Sequence, residues 1–368
     1  MARIRALAAN RNDLVRTVAV ATLWIALHVY AARPLLALAP RGAWIAVLLM
    51  PFLSILPLFA RRSRSLVHWV GYLSLSLVSM LFVLVLLSDT LRLGWLLIGL
   101  APLSTRAISV ATLSAALVLG VIGFAQARRP RVVRLPIAIE NLPDELDGYR
   151  IVQWSDVHVG PTIQRGFLEC LVARTNDLRA DAIVITGDLV DGYVDDLRDH
   201  VQPLRELRAR DGVFFVTGNH EYYWRFSDWQ RELAKLGFTF LKNEHRVVRD
   251  GLVIAGVTDP AGPKPDVAAA LAGAPRDAVK VLLAHRPQAS EAASRLGVDL
   301  QLSGHTHGGQ FFPFNVLIRW FQPVVRGLHR VGAKMQLYVS RGTGYWGPPS
   351  RLGVGGEITV IELTGRSD

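Results

Sequence analysis

Two short stretches of this 368-residue chain alternate metal-binding side chains: Asp156-Val157-His158 and His305-Thr306-His307. In an extended turn, residues two apart share a face, so each pair can aim both side chains into one pocket. Further candidates of the same chemistry are Gly187-Asp188, Gly218-Asn219-His220-Glu221 and His285. Five of the ten histidines fall in these turns, loop after loop, which core packing does not explain. Imidazole nitrogen with carboxylate oxygen suits Mn, Fe or Zn better than Mg or Ca. Two such ions ~3.5–4 Å apart clamp the attacking and leaving oxygens of an in-line phosphoryl displacement. A water held between them ionises near neutral pH, so the chemistry needs no activated Ser or Cys.

The elements that must position these residues follow from the apolar pattern. Strands are expected at Ile151–Trp154, Ala182–Ile185, Val213–Val216, Leu252–Val257, Val279–Ala284, Leu300–Leu302, Met335–Ser340 and Ile358–Leu363. Helices are expected at Arg165–Arg179, Asp196–Ala209, Ser227–Leu236 and Pro287–Leu296. Asp250-Gly251 between apolar pairs is a hairpin signal. The alternation predicts an α/β domain of mixed sheet content. Each candidate residue follows a strand, where loops leaving parallel strands converge on one edge. Cys170 is the sole cysteine, which excludes an intrachain disulfide and a thiolate metal cage.

Taken together and in this order, Asp156-x-His158, Gly187-Asp188, Gly218-Asn219-His220-Glu221, His285 and Gly304-His305-Thr306-His307 resemble the calcineurin-like metallophosphoesterase superfamily, over about Tyr149 to Leu363. The continuation Gly308-Gly309-Gln310 resembles its membrane-linked branch, in which transmembrane segments precede the phosphoesterase domain and which includes pyrophosphatases acting on UDP-diacylglucosamine. The resemblance implies a two-sheet sandwich flanked by helices. It implies that Asp156, His158 and His307 hold a first divalent ion, that Asp188 bridges, and that Asn219, His285 and His305 hold a second. His220 is then the catalytic residue, stabilising the transition state or protonating the leaving oxygen. Glu221 is either its orienter or a surface charge. Arg351, in Pro348-Pro349-Ser350-Arg351, stands where that branch carries an arginine and is expected to bind a substrate phosphate. Manganese is the first choice of metal, with Fe or Zn as alternatives.

The N-terminal third is of another kind. A mean hydropathy of +0.29 is high for a soluble protein. Apolar stretches run through Leu14–Ala32, Ala43–Ala60, Leu66–Leu87 and Ile108–Ala127, near the ~20 residues a bilayer crossing needs. Leu91–Leu103 reads as a shorter re-entrant or interfacial piece. The expected division is therefore a transmembrane bundle of about four spans at 1–134, a linker at 135–148 and the phosphoesterase domain at 149–368. Residues 1–134 hold fifteen arginines and two acids, whereas the rest holds 26 basic and 28 acidic residues. The net charge of +11 thus belongs to the membrane part, which argues against a nucleic-acid partner. Eleven arginines flank one side of the spans and four the other, which predicts a catalytic domain on the cytoplasmic face.

Gln310–Arg330 is apolar and aromatic directly after His307. It is expected to border the site and dip into the membrane interface, or else to pack on the protein's own core. The predicted function is metal-dependent hydrolysis of a phosphodiester or pyrophosphate bond at the membrane, in a lipid or lipid-linked nucleotide, by attack of a hydroxide between the ions. The alternatives are an anchored phosphodiesterase or phosphatase acting on a soluble substrate, and a non-catalytic membrane scaffold. The bilayer and the phosphorylated substrate are the expected partners, with no obligate protein partner.

Overall fold

The computed structural model describes residues 2–39, 42–60, 65–322 and 324–365. Arg41, Arg61, Arg62 and Arg64, counted above for orientation, lie outside them. The chain divides into two compact units, Met1–Arg61 with Leu66–Ile122, and Arg62–Ser65 with Gly123–Asp368.

The first unit is helical: α1 (Ala2–Ala31), α2 (Arg33–Leu38), α3 (Ala43–Phe59), α4 (Ser65–Leu97) and most of α5 (Thr105–Arg128). Each of the four expected apolar stretches is a helix, and α4 and α5 are long and apolar enough to cross a membrane. Only 28% and 22% of their apolar windows is buried, whereas the core helix of a soluble protein is mostly buried. Leu66, Leu97, Leu117 and Val121 are among the large apolar side chains left exposed, an arrangement that lipid satisfies and water does not. The segment from Leu91 corrects one expectation: α4 continues through it to Leu97, so most of it is helix and not a re-entrant piece. Nothing in Leu91–Leu97 breaks a helix apart from Gly94, which costs only ~1 kcal/mol relative to Ala.

The second unit is a sandwich of two six-stranded sheets. The strands are β1 (Arg131–Ile139), β2 (Arg150–Trp154), β3 (Ala182–Thr186), β4 (Val213–Val216), β5 (Phe238–Phe240), β6 (Glu244–Arg249), β7 (Leu252–Gly256), β8 (Val279–Leu283), β9 (Leu300–Ser303), β10 (Gly327–Val331), β11 (Met335–Val339) and β12 (Glu357–Gly365). One sheet runs β1-β12-β2-β3-β4-β5 and the other β10-β11-β9-β8-β7-β6. Parallel cores, β2-β3-β4-β5 and β7-β8-β9-β11, are mixed with antiparallel neighbours. The Asp250-Gly251 turn joins β6 to β7 as an antiparallel hairpin.

Strand alternation builds the layers. In β3, Ala182 and Val184 enter the core between the sheets, with Ile254, Val281 and Leu302 from the other sheet. Ile183 and Ile185 face the opposite way, into a core with Phe167 and Leu171 of α6 (Arg165–Asn176), Leu197 of α7 (Val194–Val201) and Trp229 of α9 (Phe226–Ala234). The outer face of the second sheet packs Leu282 and Leu337 against Ala270 of α10 (Val267–Leu271) and Ala293 of α11 (Ser290–Arg295). Strands buried on both faces read as continuous apolar runs, which is why they were visible in the sequence.

Three expectations need correction here. The first five residues of the expected linker, 135–139, are instead the end of β1, paired in parallel with β12 from Arg131 to Ile139, so the domain begins before Tyr149. The helix expected at Asp196–Ala209 is α7 followed by a 3-10 turn at Gln202–Glu206, because Pro203 ends the α-helical hydrogen bonding. Pro287 likewise makes the start of the next helix a 3-10 turn, leaving α11 only six residues.

Candidate metal centre

The loops after β2, β3, β4, β8 and β9 deliver the candidate residues. Asp156 and His158 follow β2, Asp188 follows β3, and Asn219 with His220 opens the short helix α8 (Asn219–Tyr223) after β4. His285 follows β8, and His305 and His307 follow β9. Backbone hydrogen bonds lock loop to loop: Asp156 N–H to Gly187 O at 3.0 Å, His158 N–H to Asp188 O at 3.0 Å and Gly304 N–H to His285 O at 2.9 Å. The glycines exist for close approach. A Cβ on Gly218 would collide with the Asp188 carboxylate, and one on Gly304 with Ser155 Oγ and Asp156 Oδ2.

Donor atoms gather in groups whose members lie within 4.8 Å of one another: Asp156 with His158 and His307, and Asp188 with His285 and His305. His158 Nε2 and His307 Nε2 face each other at 3.1 Å, and His305 Nδ1 and His285 Nε2 at 3.2 Å. Asp188 Oδ2 lies 3.3 Å from His285 Nε2 and 3.8 Å from His158 Nε2, so one carboxylate reaches both groups. His285 donates from Nδ1 to Thr186 O at 2.8 Å, which frees Nε2 as a ligand atom. Asn219 Oδ1 is buried without a hydrogen-bond partner among the described residues, an oxygen that burial leaves costly unless something positive meets it. This donor set, imidazoles and carboxylates with an orphaned amide oxygen, fits a pair of divalent ions.

Electrostatics in the pocket follow from burial and proximity. Burial opposes charge on His285, yet the Asp188 carboxylate beside it raises its pKa to about 10. Burial alone would raise Asp188, but the His285 charge and hydrogen bond hold it well below the usual carboxylate range. Burial lowers His305 to about 4, helped by the neighbouring His285. Burial also takes His158 and His307 well below their ordinary value, with His220 adding to the first and Arg351 to the second. Neutral imidazoles are the form that ligates a metal.

His220 lies in neither of these two groups but forms a third with His158 and Asp191, sharing His158 with the first. Its Nδ1 lies 3.1 Å from Asp191 Oδ1, and its backbone N–H donates to Asp188 Oδ1 at 2.9 Å. Burial would lower its pKa, but the Asp191 hydrogen bond and the Asp188 charge raise it. Asp191 was missed in the sequence. The one available signal was a second acidic position in Gly187-Asp188-Leu189-Val190-Asp191, on the loop that carries Asp188. Glu221 is neither a surface charge nor the partner of the His220 ring, which Asp191 holds. It is fully buried, and its carboxylate accepts from the N–H groups of Gly218 (2.7 Å), Leu189 (2.8 Å) and Asp188 (3.0 Å), tying two ligand loops together. Burial and the Asp188 charge raise it to about 7.

Arg351 is a correction. Its side chain is completely buried, and the guanidinium donates to Gly344 O (2.9 Å), His307 O (3.0 Å) and Arg341 O, with Nη2 3.1 Å from His307 Nδ1. A guanidinium committed to backbone carbonyls in this way braces the His307 loop and has no face left for a substrate phosphate. Burial lowers its pKa to about 10, so it stays charged at neutral pH.

The segment after His307 leaves its apolar groups outside. Neither α12 (Phe314–Leu317) nor the 3-10 turn Ile318–Trp320 buries any residue, and Trp320 and Phe321 are 79% and 74% exposed. From Gly308 to Gly356 there is no acidic residue, while Arg319, Arg326, Arg330, Lys334, Arg341 and Arg351 are basic.

Comparison with known proteins agrees with this geometry. Residues 149–309 match the calcineurin-like phosphoesterase family model. A Danio rerio "transmembrane protein with metallophosphoesterase domain" is 38% identical over 324 residues, covering 80% of this chain and 74% of that protein. The Bos taurus protein of the same description is 40% identical over 266 residues, covering 67% of this chain and 60% of that protein. An "uncharacterized metallophosphoesterase" of Helicobacter pylori is 37% identical over 241 residues, with 64% of each chain covered. The chain thus spans three quarters of the first relative's length and under two thirds of the other two.

Proposed function

This chain belongs to the calcineurin-like phosphoesterase family, a family of divalent-metal-dependent hydrolases of phosphoric esters, and from that premise we propose a membrane-anchored enzyme that cleaves a phosphodiester or pyrophosphate bond in a lipid or lipid-linked nucleotide with two ions, manganese first. The observation that carries the two-ion reading is the Asp188 carboxylate, within 3.8 Å of an imidazole from each donor group. Asp156, His158 and His307 would hold one ion; Asn219, His285 and His305 the other; Asp188 both. Such a pair supplies Lewis-acid stabilisation of the attacking and leaving oxygens.

The protein's own residues do the rest. Asp191 accepts the Nδ1 proton of His220, which leaves Nε2 to give a proton to the leaving oxygen as its bond to phosphorus breaks. The raised pKa of His220 keeps that proton available near neutral pH. Glu221 and Arg351 hold the ligand loops in register.

Two features favour a membrane substrate. α4 and α5 can cross a bilayer, and the exposed aromatic, acid-free segment after His307 suits an anionic lipid surface. The arginine bias along the sequence favours a cytoplasmic catalytic unit. Replacing Phe314, Trp320 and Phe321 together by Ser tests the lipid reading. Turnover of a UDP-linked diacyl glucosamine in mixed micelles is expected to fall at least tenfold while bis-p-nitrophenyl phosphate turnover holds within about twofold. Equal loss on both would sink the lipid reading.

A further inference from the structure

Two aromatic rings flank His220 and remain open to solvent. Tyr223 is 59% exposed with its ring centroid 5.2 Å from the imidazole, and Trp346 is 50% exposed at 5.8 Å, edge-on. Aromatic side chains normally bury most of their surface, and neither of these is needed for the cores on either side of the sheet. Both are instead fixed to the site. Tyr223 lies one helical turn beyond His220 on α8. Trp346 is held through its main chain by Gln310, a buried residue with left-handed φ of 50°, three positions after His307. Gln310 Nε2 donates to Trp346 O at 2.9 Å and to Pro348 O at 3.2 Å, and Trp346 N–H donates back to Gln310 Oε1 at 3.0 Å. Gln310, the last residue of the Gly308-Gly309-Gln310 continuation, thus ties the main chain of Trp346 to the loop that carries His307.

We propose that Trp346 and Tyr223 are specificity-determining residues: they form a wall for the leaving portion of the substrate and select one that carries a flat aromatic ring. This rests on the phosphoesterase reading above, because His220 is the group beside the leaving oxygen. Whatever is bonded to that oxygen must then lie beside the two rings. Uncharged π faces at this spacing suit a stacked or edge-on ring, whether an aryl alcohol or a nucleobase.

The test compares full-length wild type, Trp346→Ala, Trp346→Phe, Tyr223→Ala and Gln310→Ala in detergent with Mn²⁺. The substrates are the methylphosphate diesters of phenol, uridine and trifluoroethanol. Trp346→Ala and Tyr223→Ala should each lower kcat/KM on an aromatic ester about five- to tenfold more than on the trifluoroethyl ester. Trp346→Phe should recover most of that selectivity, and Gln310→Ala should lose part of it. Selective loss on the phenyl ester alone assigns an aryl group, and on the uridine ester alone a nucleobase. Equal losses on all three esters would overturn the wall. Absence of metal-dependent turnover by wild type on every ester would instead overturn the hydrolase reading, and the wall with it.

Discussion

Five of the seven candidate ligands, Asp156, His158, Asp188, His305 and His307, hold left-handed backbone with φ between 52° and 71°. For residues other than glycine that conformation costs about 1–3 kcal/mol each, and it persists only where surrounding structure over-determines it. Here the surroundings are visible: Glu221 accepts from the Asp188 loop, and Arg351 grips the His307 loop. The pocket also stores charge, because Asp188 raises the pKa of the buried His285 to about 10. An ion arriving at His285 Nε2 must displace the proton there. Manganese affinity should therefore rise with pH from 6.5 to 8.5, up to tenfold per unit for each proton released. Titration calorimetry in buffers of different ionisation enthalpy should read that release directly. Flat affinity with no proton release would show that the site is already deprotonated. At this scale the sequence was informative because ligand chemistry restricts residue types so severely. Asp191 and Arg351 escaped because their roles depend on which atoms they touch: a lone Asp or a loop Arg looks alike whether it faces an imidazole, a phosphate or water.

At the scale of elements, the site is a convergence of strand ends, and the spacing between loops is set by the backbone of one loop packing against side chains of the next. Gly304 is the tightest such point, packed on Ser155 and Asp156. Gly304→Ala should weaken manganese binding at least tenfold and leave the far-UV circular dichroism unchanged, since it displaces a ligand loop and not a core side chain. Wild-type metal affinity in that variant would mean that the loop is freer than its packing implies. Elements buried on both faces were legible as apolar runs, among them β3, β4 and β7. The edges were not. β1 carries Arg131, Arg134 and Pro136 and reads as a linker, because an edge strand tolerates proline and polar residues that a central strand excludes. β5 has three residues and β10 exposes most of its side chains, too little pattern for period-two alternation to register. α4 overran its expected end because one glycine is a weak helix breaker.

For the whole molecule, two chemistries meet in one chain: helices whose apolar surface is left exposed, and a sandwich whose strand ends gather six clustered candidate ligands with the buried Asn219 amide. The similarity to the Danio rerio protein covers 80% of this chain, more than residues 123–368 make up, so it extends into the helices. Orientation can be read with the chain's own label. Cys170 is the single cysteine and is exposed on the catalytic unit. A membrane-impermeant maleimide should label it in inside-out membrane vesicles and not in right-side-out ones. The reverse pattern would put the catalytic unit on the opposite face and overturn the arginine argument.

The central claim is that Asp188 joins two ions into one hydrolytic centre. The direct measurement is turnover of bis-p-nitrophenyl phosphate, with and without Mn²⁺, by detergent-purified wild type and Asp188→Asn, alongside bound metal per chain. The account predicts Mn²⁺-dependent turnover with two equivalents bound in the wild type. In the variant it predicts a loss of at least about a thousandfold, as expected when a metal-clamping group is removed, with fewer than two equivalents held. Undiminished turnover by Asp188→Asn, or a wild type that binds no metal and hydrolyses nothing, would contradict it.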